Sequence, residues 1–262
     1  MKTLRAVISI VVFLSLAAAQ TGVGVSPPRV IIAAEPGETV QGMVVVDHPG
    51  NDAPMKVDIG LSDVAVQPNG EPVYLDPGSI PQSAATWISV APPSFMLSPK
   101  EAREIHYAVH VPDNCNDGTY WAVIFFDSGP VENQQSDGVG VKMRVRVGHV
   151  VYVNVGRIVK SGEIRGVRYQ PPTARNPAEI RVRFRNTGNG LMRLNGYVEL
   201  HDLEGNTVTK ATINNAASLP GYEYEIPAQV KSKLRSGDYL ALIMIDYGGT
   251  EAIIGEGRVH VP

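Results

Sequence analysis

Six histidines are the first side chains in this 262-residue chain that could hold a metal or move a proton. His106 and His110 stand four apart, which on a helix would set both imidazoles on one face. Their surroundings have a different period: Ile105, Tyr107, Val109 and Val111 alternate with Glu104, His106, Ala108 and His110, as in a strand. On a strand the two histidines share a face but stand roughly 13 Å apart, too far to share one metal. His48, His201 and His260 are isolated. Asp113, Asp117 and Gly118 resemble the start of a calcium loop, yet its third position is Cys115 and its twelfth Ile124, and neither ligates calcium. There is no Gly-x-Ser-x-Gly elbow, phosphate-cradling loop or dinucleotide fingerprint. The expectation is a chain that is not an enzyme and carries neither cofactor nor metal.

The elements that must position any site are strands. Met55, Val57, Ile59 and Leu61 alternate with Lys56, Asp58 and Gly60, and Ile180, Val182 and Phe184 alternate with Arg181, Arg183 and Arg185. Each pattern gives one buried and one wet face, as in a β-sandwich. No stretch keeps an apolar period of 3.6 residues for three turns. The 26 glycines and 20 prolines fall between the strands as turns. The chain is expected to be all-β.

A repeat divides it. Gly118-Thr119-Tyr120-Trp121-Ala122-Val123-Ile124-Phe125-Phe126-Asp127 matches Gly237-Asp238-Tyr239-Leu240-Ala241-Leu242-Ile243-Met244-Ile245-Asp246 at one constant offset. Two tandem immunoglobulin-like sandwiches follow, near residues 22–156 and 157–262. The Gly-x-Tyr opening each copy is the pattern of a tyrosine corner, in which the phenol reaches back to the backbone, so Tyr120 and Tyr239 are expected to be structural.

Residues 1–20 have the form of a secretory signal: Lys2 and Arg5, an apolar run from Ala6 to Leu16, and small residues at Ala17 to Ala19. This places the mature chain in the periplasm or outside the cell, with no transmembrane segment after signal cleavage. The single cysteine, Cys115, allows no intrachain disulfide. The net charge of −3 conceals a basic middle, because Gly138 to Arg193 holds twelve Lys or Arg against Glu163 and Glu179. Such a field could attract an anionic envelope polymer. Export, net acidity and only 6% aromatic residues argue against nucleic acid.

One stretch stands out. Val139, Val141, Met143, Val145, Val147, Val151, Val153 and Val155 share a parity that only His149 breaks, and Lys142, Arg144 and Arg146 occupy the other. The whole reads as one long strand, either a core strand with a charged outer face or an interaction edge. Two such sandwiches behind a signal, joined after this strand, resemble the periplasmic pilus-assembly chaperones. The resemblance implies that the strand lends alternate apolar residues to an unfinished subunit. It also implies that an Arg on the first strand and a Lys near the end of the lending strand hold the subunit's terminal carboxylate between the domains. Arg29, in Ser26-Pro27-Pro28-Arg29, stands at a position like that Arg, and Val141, Met143, Val145 and Val147 are similar to the lending row. His149 is nearest in register to the Lys, with Arg146 as the alternative if a bulge intervenes.

Two functions stay open. One is an assembly chaperone that binds exported protein subunits by strand addition. The other is a structural or adhesive surface module that recognises wall polymer or another envelope protein.

Overall fold

The computed structural model describes residues 22–50, 53–129, 131–133, 141–174 and 176–262. The leader expected over residues 1–20 lies outside them. The described residues contain nineteen strands, one 3-10 turn at Ala85–Trp87 and no α-helix. The protein is all-β, with two immunoglobulin-like sandwiches in tandem.

The first sandwich has two sheets. One orders β1 (Gly24–Ser26), β3 (Thr39–Asp47), β8 (Ala102–His110) and β6 (Ile88–Val90) as β1-β3-β8-β6. The other contains β2 (Arg29–Ala34), β4 (Met55–Val66), β5 (Pro72–Leu75), β7 (Ser94–Leu97), β9 (Gly118–Ser128) and β12 (Arg146–Val155). Its order is β2-β12-β9-β4-β5, with β7 also on β4. Pro27 and Pro28 lack the N–H a ladder needs, so the opening strand breaks there: β1 pairs with β3, and β2 crosses to pair in parallel with β12. The alternation places side chains as expected. On β8, Ile105, Tyr107 and Val109 are buried and Glu104, His106 and His110 exposed. With Val44, Val57, Leu97, Ile124, Phe126, Val151 and Val153 they form the core.

The run expected as one strand from Val139 to Val155 is divided. Its first part, β11 (Val141–Met143), pairs with β10 (Val131–Asn133) as a separate two-stranded sheet. Its second part is β12. Between them, Val145 N–H donates to Ser128 Oγ at 3.1 Å, and Ser128 N–H donates to Val145 O at 2.9 Å. A serine side chain thus takes a donor that would otherwise extend the ladder, a competition typical of short hydroxyl side chains.

The second sandwich is one curled ladder of β13 (Gly162–Gln170), β14 (Glu179–Asn186), β15 (Met192–His201), β16 (Thr207–Ser218), β17 (Glu223–Gln229), β18 (Gly237–Asp246) and β19 (Ile253–Val261). Its order is β13-β14-β17-β16-β15-β18-β19. β16 and β17 share a single paired position, Thr212 with Gln229, and the sheet folds over there. The two edges meet across the fold, Gly255 lying against Ile164 and Gly257 against Val167. Ile180, Val182 and Phe184 fill the space between, fully buried, while Arg183 and Arg185 point outward.

Both repeat copies open with the same corner. Gly118 has φ +151° and Gly237 φ +148°, a region side chains rarely adopt, which explains why each Gly-x-Tyr begins with glycine. Tyr120 Oη donates to Asn116 O at 3.1 Å and Tyr239 Oη to Arg235 O at 2.9 Å, each reaching four residues back.

The sandwiches touch through specific contacts. Trp121 packs with Leu191 and Leu219, and its Nε1 donates to Val64 O at 2.7 Å. Asn189 ties the junction: Val159 N–H donates to its Oδ1, and its Nδ2 donates to the carbonyls of Asp117 and Arg157. At the far end Glu225 N–H donates to Pro68 O at 3.1 Å.

Candidate functional site

The outer face of the β12–β9–β4 sheet looks toward the second sandwich. Side chains on the opposite parity from the core valines line this face, namely Val150 and Tyr152 on β12 with Trp121 and Val123 on β9. Ala216, Leu219, Tyr224 and Ile226 close the other side, and the cleft between encloses about 600 Å³.

Arg29 opens β2, directly opposite Val150 in the parallel register, and is exposed. Across the cleft, Arg193 on β15 holds its guanidinium 5.9 Å from the centre of the Tyr152 ring. Burial raises the Tyr152 pKa, and the positive charges of Arg193 and then Arg29 partly offset that rise, so both cations act on one phenol. Among the described residues, neither Arg29 nor Arg193 has a carboxylate partner. Most other arginines do. Arg165 pairs with Glu163 at 2.7 Å, Arg168 with Glu225 at 2.5 Å, Arg181 with Glu179 at 2.7 Å and Arg183 with Glu223 at 3.6 Å. The block counted as basic in sequence is therefore interleaved with acids, two of them from β17, outside the counted stretch.

His149 lies on the core parity and is fully buried. Its Nδ1 donates to Pro27 O at 2.7 Å, since a carbonyl only accepts, so its Nε2 accepts from Tyr107 Oη at 3.0 Å. Burial lowers its pKa, against a smaller opposite effect of the Pro27 bond, and keeps the ring neutral. With both nitrogens engaged inside the sandwich, His149 does not reach the cleft. Its role is to hold β12 to the Ser26–Arg29 segment, two residues from Arg29.

Arg146 does face outward. Its Nε donates to Asp127 Oδ1 at 2.7 Å and its guanidinium lies 5.1 Å from the Phe125 ring centre. The hydrogen bond to Asp127, then its charge, raises the Arg146 pKa. Four residues separate Arg146 from Val150, the register partner of Arg29, or roughly 13 Å along a strand, so Arg146 and Arg29 do not converge on one small group. Val147 is half-buried against the core and Val145 lies against Gly22. Val141 and Met143 lie on β11, their side chains outside the described residues.

The ladder around β12 is uneven. β9 pairs with it over its whole length, Arg146 to Val155, but β2 covers the other edge only from Val150 onward. Among the described residues, no strand pairs with the edge of Arg146–His149, although β1 packs beside β12 before crossing to β3, and this unpaired length ends at Arg29.

No protein-family model matches the sequence, and no curated protein matches it. Solved structures do. The class 5 fimbriae chaperone CfaA is similar over 92% of this chain and 100% of its own, with 14% identity and a TM-score of 0.50. The fold is that of the fimbrial chaperones. A chain from the chaperone–tip adhesin complex of CFA/I fimbriae biogenesis is similar over 90% of this chain and 99% of its own, at 12% identity and a TM-score of 0.50.

Sequence reasoning named Arg29 but missed Tyr152 and Arg193. Tyr152 carried a signal, since it sits among valines on the parity opposite to the core set. Arg193 carried none beyond its charge, because its place in the cleft depends on how the two sandwiches meet.

Proposed function

We propose that the chain is an exported, non-catalytic chaperone that caps or delivers envelope or pilus-like subunits by β-strand addition. The observation carrying this reading is the open edge of Arg146–His149 that runs into Arg29. A partner strand laid there in line with β2 runs parallel to β12 and completes the ladder on that side. Its direction brings its C-terminal end to Arg29, and its carboxylate into the field of Arg29 and Arg193. Two guanidinium groups without a carboxylate partner among the described residues suit such a guest, because Arg binds carboxylate through paired charge-assisted hydrogen bonds. Arg193 takes the second cationic position that His149 and Arg146 do not fill. The fimbrial-chaperone fold supports the same assignment, and the leader-like residues 1–20 support export to the periplasm. Val141, Met143 and Val145 form the row offered to the partner on the way to this edge, while Val147 packs against the core of the first sandwich.

An affinity pull-down of the tagged chain from its native envelope fraction tests the reading. The expected result is a stoichiometric exported β-protein that is lost in Met143→Glu and weakened at least tenfold in Arg29→Ala. Recovery of wall polymer alone, unaffected by either substitution, would replace this reading with that of a surface-binding module.

A further inference from the structure

We infer that the cleft beside Tyr152 is a specificity pocket for a large apolar or aromatic side chain on the C-terminal residue of the bound partner. The inference rests on the strand-addition reading above and adds a selection that reading does not require. The cavity of about 600 Å³ is within the size range of ligand-binding sites, and its walls are mainly apolar. Val64, Val66, Trp121, Val150, Leu219 and Ile226 supply them, three β-strands of the first sandwich against β17 and the turn after β16 of the second. The walls are held in place. The Trp121 indole is pinned through Nε1 to Val64 O, and the Glu225–Pro68 hydrogen bond spans the two sandwiches at one end.

Charge decides the occupant. Tyr152 lines the cavity and also sits under the Arg193 guanidinium, with Arg29 acting on the same phenol. An apolar cavity and two cations without a carboxylate partner among the described residues thus meet at one residue. A chain terminus presents that combination, since its carboxylate and its last side chain leave the same carbon. A positively charged terminal side chain is disfavoured by the same cations.

Calorimetric titration of the mature full-length chain tests this with synthetic decapeptides of alternating apolar residues that differ only in the last residue, Gly, Leu or Trp. A C-terminally amidated copy of the Leu peptide completes the set. The Leu and Trp peptides are expected to bind at least tenfold tighter than the Gly peptide, the discrimination that a well-formed apolar pocket gives. Ala217 also lines the cavity, and filling it through Ala217→Phe is expected to bring the three within about twofold while the Gly peptide keeps its affinity, which also shows the variant is folded. Equal affinity of the three free-acid peptides, with loss on amidation, would overturn the pocket and leave the carboxylate site standing. Equal binding of the amidated and free-acid peptides would overturn the carboxylate site instead. A preference that survives Ala217→Phe would place the selection elsewhere, and no binding by any peptide would overturn both.

Discussion

One ten-residue pattern runs through β9 and β18, with two different outcomes. In both copies the corner glycine, the corner tyrosine and the inward-facing residues behave alike: Ala122, Ile124 and Phe126 are buried, as are Ala241, Ile243 and Ile245. The outward-facing residues diverge. Trp121, Val123 and Phe125 are 1%, 2% and 6% exposed, whereas Leu240 and Leu242 are 38% and 37% exposed. The cause lies outside the pattern. Leu191 and Leu219 of the second sandwich cover Trp121, and Tyr74 packs edge-on against Phe125 at 4.8 Å with Arg146 above it. Of the outward-facing residues of β18 only Met244, contacted by Tyr197, is half-buried, and among the described residues nothing comparable covers Leu240 and Leu242. The same strand is a two-sided core element in one sandwich and a one-sided wall in the other, so the pattern fixes the strand and its corner but not the use of its outer face.

The strongest way to break this comparison is to truncate matching outer residues. Trp121→Ala is expected to cost about 3–5 kcal/mol, the usual range for a buried indole, and Leu240→Ala less than about 0.5 kcal/mol. Equilibrium urea unfolding measures both, and similar losses would mean that the cover over β9 contributes nothing. Asn189→Ala comes next, with about 1–3 kcal/mol expected from the loss of its hydrogen bonds to Val159, Asp117 and Arg157 at the junction. Its urea transition should separate into two steps, one for each sandwich, if Asn189 couples them. Smaller still, Tyr120→Phe and Tyr239→Phe should each lose about 1 kcal/mol, because each removes one corner hydrogen bond and little else. Unequal values would show that the corners, unlike the outer faces, also differ.

Acid gives the mildest probe, and above the pH range in which carboxylates take up protons it should act first on the sandwich that holds His149. Burial holds the His149 pKa in the folded protein below the ordinary value of 6.5, so the unfolded chain takes up a proton first. Stability is therefore full above about pH 6.5 and declines as pH falls from there toward the folded pKa. His149→Phe should flatten that decline in a series of thermal melts between pH 7.5 and 4.5. Tyr107, which donates to His149 and whose pKa is pushed up to about 12, stays uncharged throughout.

Much of the fold was legible in sequence because strand periodicity is local. Ile105, Tyr107 and Val109 or Ile180, Val182 and Phe184 announce their buried faces without reference to any other part of the chain, and the repeat at Gly118 and Gly237 announces two similar units. Parity even carried the position of His149, which shares the core face with Val151 and Val153, although its charge chemistry pointed toward a ligand. The division between β11 and β12 was not legible, because it depends on Ser128 taking the Val145 N–H from a distant strand.

Composition and alternation by themselves thus determined an all-β chain of paired sandwiches, its inward faces and its two tyrosine corners. Only the tertiary structure decided which charges are free. Arg181, Arg183 and Arg168 looked like part of one basic block until strand pairing set Glu223 and Glu225 beside it, while Arg29 and Arg193, 164 positions apart in the numbering, came to share one tyrosine with no carboxylate partner among the described residues. Periodicity is read within a few residues, but a charge is neutralised or left open by whatever the fold brings within a few ångströms, and sequence separation says little about that distance.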